Sequence, residues 1–220
     1  MAAPANNELL SDVSSYYETK LAAHGETARG VDWNGEASQS LRFEQLCKII
    51  AEPEGFSIND LGCGYGALNE YLALSFAGFS YNGFDISEAM VAAAQRRQGA
   101  NAMDVSAAKR TARFVAADRP DGIADYGIAS GIFNVRLDWS EAAWQSYLDS
   151  TLDVLDQTSR RGFAFNCLTS YSDPDKMRDH LHYADPCRIF DRCKRRYSRN
   201  VALLHDYGLY EFTILVRKQP

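Results

Sequence analysis

The chain leaves itself least freedom at Ile58–Gly66, I-N-D-L-G-C-G-Y-G, where the short apolar run Ser57–Leu61 meets glycines at alternate positions. Gly62, Gly64 and Gly66 open backbone conformations that side chains resist, so a strand can turn at once into a helix, read here over Gly66–Phe76. With no Cβ atoms in the way, a ligand can approach the turn. The unpaired N–H groups of the helix start then face an electron-rich ligand atom. A turn of this kind belongs to an α/β sheet that binds ligands at the carboxyl edge of its strands.

The rest of the chain keeps that rhythm. Ser80–Asp85 reads as a second strand, and Ser87–Gln98 as a helix with Ser87 as its N-cap and Glu88 in its first turn. Arg113–Ala117 and Asp125–Ser130 are strands three and four, and Gly162–Leu168 is the fifth. Between the last two lies an amphipathic helix, Trp139–Asp156, with Trp144, Tyr147, Leu148, Thr151, Leu152 and Leu155 on one face. Such alternation predicts a mostly parallel sheet with helices on both faces, because each right-handed crossover needs a helix. Val201–Asp206 and Glu211–Arg217 break the rhythm. The loop around Gly208 is too short for anything but antiparallel neighbours, so the sheet should end in a C-terminal hairpin.

Upstream of the first strand, two helices are expected. Leu9–Leu21 is ended by Gly25. A second carries Leu41, Phe43, Leu46, Cys47, Ile49 and Ile50 on one side and is capped by Ser38 or Ser40, after the turn-rich loop Gly30–Gly35. No repeat or linker divides the 220 residues, which read as a single domain.

Composition removes whole classes of function. With 46% apolar and 24% charged residues the chain can build a full core, which excludes a disordered or disulfide-dependent protein. No stretch of about 18 apolar residues is present, so no membrane span is expected. Met1–Asn7 has no apolar signal region and reads as a frayed end, and the expected compartment is cytoplasmic. A net charge of −6 argues against a dedicated nucleic-acid binder. Five scattered cysteines without a C-x-x-C pair, and four scattered histidines, give no metal site and suggest reduced thiols.

Two carboxylates indicate what the glycine turn binds. Asp85 closes the second strand, where nucleotide-binding sheets place an acid to accept hydrogen bonds from both ribose hydroxyls. Asp118 follows the third strand, where its side chain can meet an adenine amino group. The G-x-G-x-x-G of nicotinamide enzymes is missing, Ala67 standing at the third position, although that fingerprint tolerates Ala. A nucleotide-binding dehydrogenase or an inactive cofactor-binding module is therefore an alternative reading.

With Asp60 ahead of the glycines and a terminal hairpin, the chain resembles the class I S-adenosylmethionine-dependent methyltransferases over about residues 57 to 217. The resemblance implies a Rossmann-like, seven-stranded, mostly parallel sheet. It divides the chain into an N-terminal helical cap or lid (1–56) and a core (57–220). It also implies S-adenosyl-L-methionine as cofactor. Asp60, Gly62, Gly64 and Gly66 match the motif that binds the methionine part, with Cys63 and Tyr65 contributing mainly backbone. Asp85 and Ile86 match the ribose motif, and Ala117 and Asp118 the adenine motif. The family's reactive methyl faces the end of strand four, here Ser130-Gly131-Ile132-Phe133-Asn134, which makes Ser130 and Asn134 site residues; helix capping is the other reading of Asn134. No acidic or Asn residue followed by Pro-Pro and an aromatic stands there, which argues against methylation of base amines or glutamine amides.

Methyl transfer from a sulfonium mostly needs two reactants held in line away from water, with a base only where the acceptor must lose a proton. His205, beside Asp206 in a predicted strand, is the candidate base. Tyr16, Tyr17, His24, Asp32 and Trp33 are candidates for a lid over the site, the tyrosine faces being suited to a methylsulfonium. Asn166 and Tyr171, after strand five, are candidate substrate contacts. Arg42 either reaches the cofactor carboxylate or lies on an exposed helix face. The row Arg188, Arg192, Arg195, Arg196 and Arg199 is a solvated helix face or an anion site. The expected reaction is methylation of a small polar metabolite, natural-product precursor or saccharide-type acceptor, with an RNA or protein substrate as the runner-up.

Overall fold

The computed structural model describes residues 4–101 and 110–218. The reading of Met1–Asn7 as a frayed end falls partly on residues 1–3, outside the described residues; from Pro4 onward the chain is helical. Helix α1 (Pro4–His24) is followed by a short 3-10 turn (Ala28–Val31) and α2 (Glu36–Cys47). Then come β1 (Phe56–Leu61), α3 (Ala67–Ser75), β2 (Phe79–Asp85), α4 (Glu88–Asn101), β3 (Arg110–Ala116) and β4 (Ala124–Ala129). The chain closes with α5 (Glu141–Gln157), β5 (Ser159–Thr169), β6 (Tyr183–Ala184), α6 (Pro186–Arg196), β7 (Asn200–Leu204) and β8 (Glu211–Arg217).

The main path of the sheet runs β3-β2-β1-β4-β5-β8-β7. Strands β1 to β5 pair in parallel, and β8 runs antiparallel to both β5 and β7. This is the mostly parallel sheet with a C-terminal antiparallel hairpin that the sequence predicts. The addition is β6, a parallel pairing of two residues, Tyr183 and Ala184, with Leu168 and Thr169 of β5. Two residues carry no periodicity, so nothing in the sequence marks them.

Alternation along the strands builds two cores. Phe163, Phe165 and Cys167 of β5, with Phe212, Ile214 and Val216 of β8, join residues of α1, α5 and α6 in one apolar cluster. Ala164 and Leu215 point the other way, into a cluster with α2, α3 and α4. The α5 face chosen by helical spacing is buried, and Ser140 caps that helix by accepting from the Ala143 N–H. Leu9 and Val13 of α1 belong to the first core, so the N-terminal helix is packed into the sheet's own hydrophobic interior. Neither Ser38 nor Ser40 caps α2. Gly35 is the N-cap, and the Ser38 hydroxyl donates back to its carbonyl at 2.8 Å.

Candidate functional site

The carboxyl ends of β1 and β2 are joined by backbone hydrogen bonds. The N–H groups of Gly62 and Cys63 both donate to the Phe84 carbonyl, at 2.8 and 3.0 Å. Gly62 has φ +78°, and a Cβ there would lie 2.1 Å from Ile132 Cγ2, so both conformation and space demand glycine. Asp85 ties the turn to the next helix. One carboxylate oxygen accepts from Gly64 N–H at 2.8 Å and the other from Ser87 N–H at 2.9 Å. Burial raises the pKa of Asp85, and the N–H groups of Ser87, Gly64 and Ile86 oppose that rise. The Ser87 hydroxyl accepts from Met90 N–H, which makes it the N-cap of α4 that the sequence indicates.

Above this edge opens a cavity of about 440 Å³. Its lining includes Gly62 and Gly64 from the turn, Asp85 at the end of β2 and Ile86 after it, Ala117 and Asp118 after β3, and Ser130 after β4. Leu10, Val13, Ser14 and Tyr17 of α1 also line it. Glu18 of α1 accepts from the Ser87 hydroxyl at 2.9 Å, which fastens that helix to α4.

Four residues of the glycine motif are not on the cavity wall. The Cys63 side chain is buried beside its own turn. Tyr65 reaches toward α2, its hydroxyl donating to Gln39 at 3.1 Å. Gly66, at φ +86°, is backed by the Phe114 ring 3.0 Å from where its Cβ would be. Asp60 lies behind the turn, where it accepts from the Tyr81 hydroxyl, and burial pushes its pKa up to about 7. Asp60 Oδ1 and the Ser130 hydroxyl are both buried without a hydrogen-bond partner.

A second cavity, of about 630 Å³, adjoins the first, and Tyr17, Val31 and Trp33 line both. Tyr16 stands in its wall, donating to Asp32 at 2.6 Å, while Lys20 reaches the other oxygen of Asp32 at 2.7 Å. Burial, with the neighbouring Asp32 carboxylate, pushes the Tyr16 pKa up to about 12. His180 lines the same cavity with Nε2 3.5 Å from the Tyr16 oxygen.

The remaining candidates fall differently from the sequence reading. Asn134 lines the second cavity but caps no helix; its side chain accepts from Leu168 N–H at 3.2 Å. Asn166 is buried beneath both cavities, accepting from Gly131 N–H at 2.9 Å and donating to Glu211 at 2.5 Å. Tyr171 is 68% exposed and lines neither cavity. His205 is also misplaced by the sequence reading: β7 stops at Leu204, and the exposed imidazole rests against Tyr171 and Phe212 away from both cavities. His24 is exposed at the end of α1.

Arg42 is neither exposed nor in the first cavity. It is buried, with Nε and Nη2 bonded to Glu211 at 2.6–2.9 Å, and its guanidinium carbon lies 3.8 Å from the centre of a Trp33 ring. Its spacing with Gln39 and Leu46 put it on the inner face of α2, a signal that helical periodicity contained. Arg192 and Arg196 of the α6 row pair with Asp149 and Asp153 of α5, and Arg195 pairs with Asp191. Nothing local in the sequence distinguishes His180, Glu211 or Val31 as site residues.

A family described as "Methyltransferase domain" matches residues 58–158. Rv1506c of Mycobacterium tuberculosis (strain ATCC 25618 / H37Rv), provisionally named a methyltransferase, is 58% identical over 172 residues, covering 78% of this chain and 98% of that protein. Among solved structures, magnesium protoporphyrin IX methyltransferase from Synechocystis PCC 6803 with bound SAM shares the fold, with a TM-score of 0.64 and 15% identity over 99% of both chains. So does the small RNA methyltransferase HEN1, with a TM-score of 0.60 and 14% identity over 82% of this chain and 26% of that one.

Proposed function

The chain belongs to the class I S-adenosylmethionine-dependent methyltransferases, and on that premise we propose that it methylates a small polar metabolite, natural-product precursor or saccharide-type acceptor held in the second cavity. The observation that carries this reading is the shared wall of Tyr17, Val31 and Trp33, which sets two chambers of small-molecule size side by side. Membership of the family removes the dehydrogenase alternative. No described helix is long and apolar enough to cross a membrane.

The first chamber suits the cofactor. Asp85 has spent one lone pair of each oxygen on Gly64 and Ser87, which leaves acceptor capacity for ribose hydroxyls. Gly62 and Gly64 leave room for the methionine part, Ile86 and Ala117 supply apolar wall, and Asp118, in the same wall, is the acceptor this reading gives to adenine. The buried, unpartnered Ser130 hydroxyl is a donor that this reading assigns to the cofactor. Asp60 acts from behind the turn as a positioning residue. When bound, S-adenosyl-L-methionine supplies an electrophilic methyl group on a positively charged sulfur.

In the second chamber the residues hold and deprotonate an acceptor. Tyr17 at the divide offers an aromatic ring, which attracts a sulfonium. A hydroxyl acceptor must also lose a proton. We assign that proton to His180 in place of His205. Because Tyr16 donates to Asp32, Nε2 of His180 carries hydrogen toward the Tyr16 oxygen, and Nδ1 has no protein partner among the described residues. The proton arrives at Nδ1, and Asp32 acting through Tyr16 stabilises the imidazolium that forms.

Two measurements test the proposal. Isothermal titration is expected to give micromolar binding of S-adenosylhomocysteine and none of NADH. Mass spectrometry with a deuterated-methyl cofactor is then expected to find the label on a small metabolite. Label on RNA or protein, with affinity lost as salt rises, would replace the small-acceptor reading.

A further inference from the structure

Arg42 is only 5% exposed, yet it stands in the wall of the second cavity. Its partner Glu211 is 1% exposed and lines the same cavity. Nε and Nη2 are satisfied by that carboxylate, but Nη1 is buried with no partner. Leaving a charged donor unmet in the interior is costly, and a buried ion pair is itself poor value for stability. A ligand oxygen in the cavity would remove the deficit.

The charge around that donor narrows the ligand. In a chain of net charge −6 this wall carries Lys20, Arg42, Lys176 and Arg178 against Asp32 and Glu211. Lys20 and Arg42 are matched by those two carboxylates, and Lys176 lies 3.0 Å from Asp175. Arg178 is different: it is exposed, its Nη1 donates to the main-chain carbonyls of Asp175 and Met177, and its charge has no counter-ion among the described residues. The loop's acids, Asp173, Asp175 and Asp179, are not in the wall. A neutral hydroxyl would satisfy Arg42 Nη1 but would draw nothing from the hydrated charge of Arg178. An oxyanion meets both, since guanidinium forks fit carboxylate and phosphate oxygens.

We infer that the second cavity takes an acceptor bearing an oxyanion, a carboxylate or a phosphate, with Arg42 as its buried anchor and Arg178 as its unmatched charge. The inference rests on the reading of this cavity as the acceptor chamber. Calorimetric titration of inorganic phosphate and of acetate, into protein with and without saturating S-adenosylhomocysteine, tests it and separates the two sources of oxyanion. The expected result is saturable binding of one or both anions, weakened about tenfold by Arg178→Glu, with S-adenosylhomocysteine affinity unchanged in that variant. Arg188→Glu makes the same charge change on exposed α6 and is expected to keep wild-type anion affinity. Protein that binds S-adenosylhomocysteine but neither anion overturns the inference, as does equal loss in the Arg178 and Arg188 variants. Failure to bind S-adenosylhomocysteine at all would instead sink the proposed function, while the titration of unloaded protein still reads this cavity.

Discussion

The two cavities meet at one wall and are made in opposite ways. The first is built around a main-chain element, a glycine turn bonded to the end of β2 with acids at successive strand ends, and residues of α1 and α5 complete its wall. The second is mostly side chain, drawn from α1, α2, the segment after β4, the loop after β5 and the loop before β8. A glycine turn is fixed by where a strand stops and which residues lack a Cβ, so that part of the first cavity is local in sequence. A side-chain site exists only once distant segments have packed together.

Variants can break that contrast or sharpen it. The largest effect is expected at the second cavity, where Arg42→Met leaves Glu211 buried and unpaired and should cost about 3–5 kcal/mol of folding stability. Urea midpoints would show it, and Arg42→Met combined with Glu211→Leu should recover much of the loss. A single variant as stable as wild type would mean that this cavity tolerates change as a surface does. At the first cavity, Asp85→Ala should weaken S-adenosylhomocysteine binding by about 1–3 kcal/mol, through lost ribose acceptors and a loosened Gly64 turn. Unchanged calorimetric affinity in a folded Asp85→Ala protein would contradict the ribose role.

Asp60 provides a pH test of the turn. Its pKa in the folded chain, about 7, lies above the ordinary 3.8, so the folded state holds a proton that the unfolded chain has released. Stability from this group is therefore full below about pH 4 and lost as pH rises through about 7, by about 1 kcal/mol between pH 6 and pH 7. Asp60→Asn should lack that slope, and denaturation midpoints that stay parallel across pH 5–8 would refute the assignment. The smallest effect is expected at His205, which faces neither cavity: His205→Asn should change stability by less than about 0.5 kcal/mol and leave methyl transfer intact. His180→Gln should slow transfer to a hydroxyl acceptor, read as a lower kcat with S-adenosylhomocysteine affinity unchanged.

Much of this was legible beforehand. The mostly parallel sheet with its terminal hairpin followed from helix–strand alternation and from the short loop at Gly208, and the buried face of α5 from its spacing. Gly62, Gly64, Asp85, Ile86, Ala117, Asp118 and Ser130 line one cavity because each sits at or just beyond a strand's carboxyl end, a position that sequence periodicity marks. Asp60 and Tyr65 show the limit of that reasoning. A motif names residues near a turn, but the pleat decides which side chains face the cavity and which face Tyr81 or Gln39.

Local sequence therefore determined the order of elements and the glycine turn with its strand-end acids, because hydrogen-bonded strands and φ-permissive glycines act over a few residues. Only the packed chain decided that Arg42 would meet Glu211, that His180 rather than His205 would stand beside Tyr16, and that Tyr17 and Trp33 would divide two chambers. These are contacts between segments up to 169 residues apart. Their geometry is set by how helices and loops settle on the sheet, and no short-range pattern encodes it.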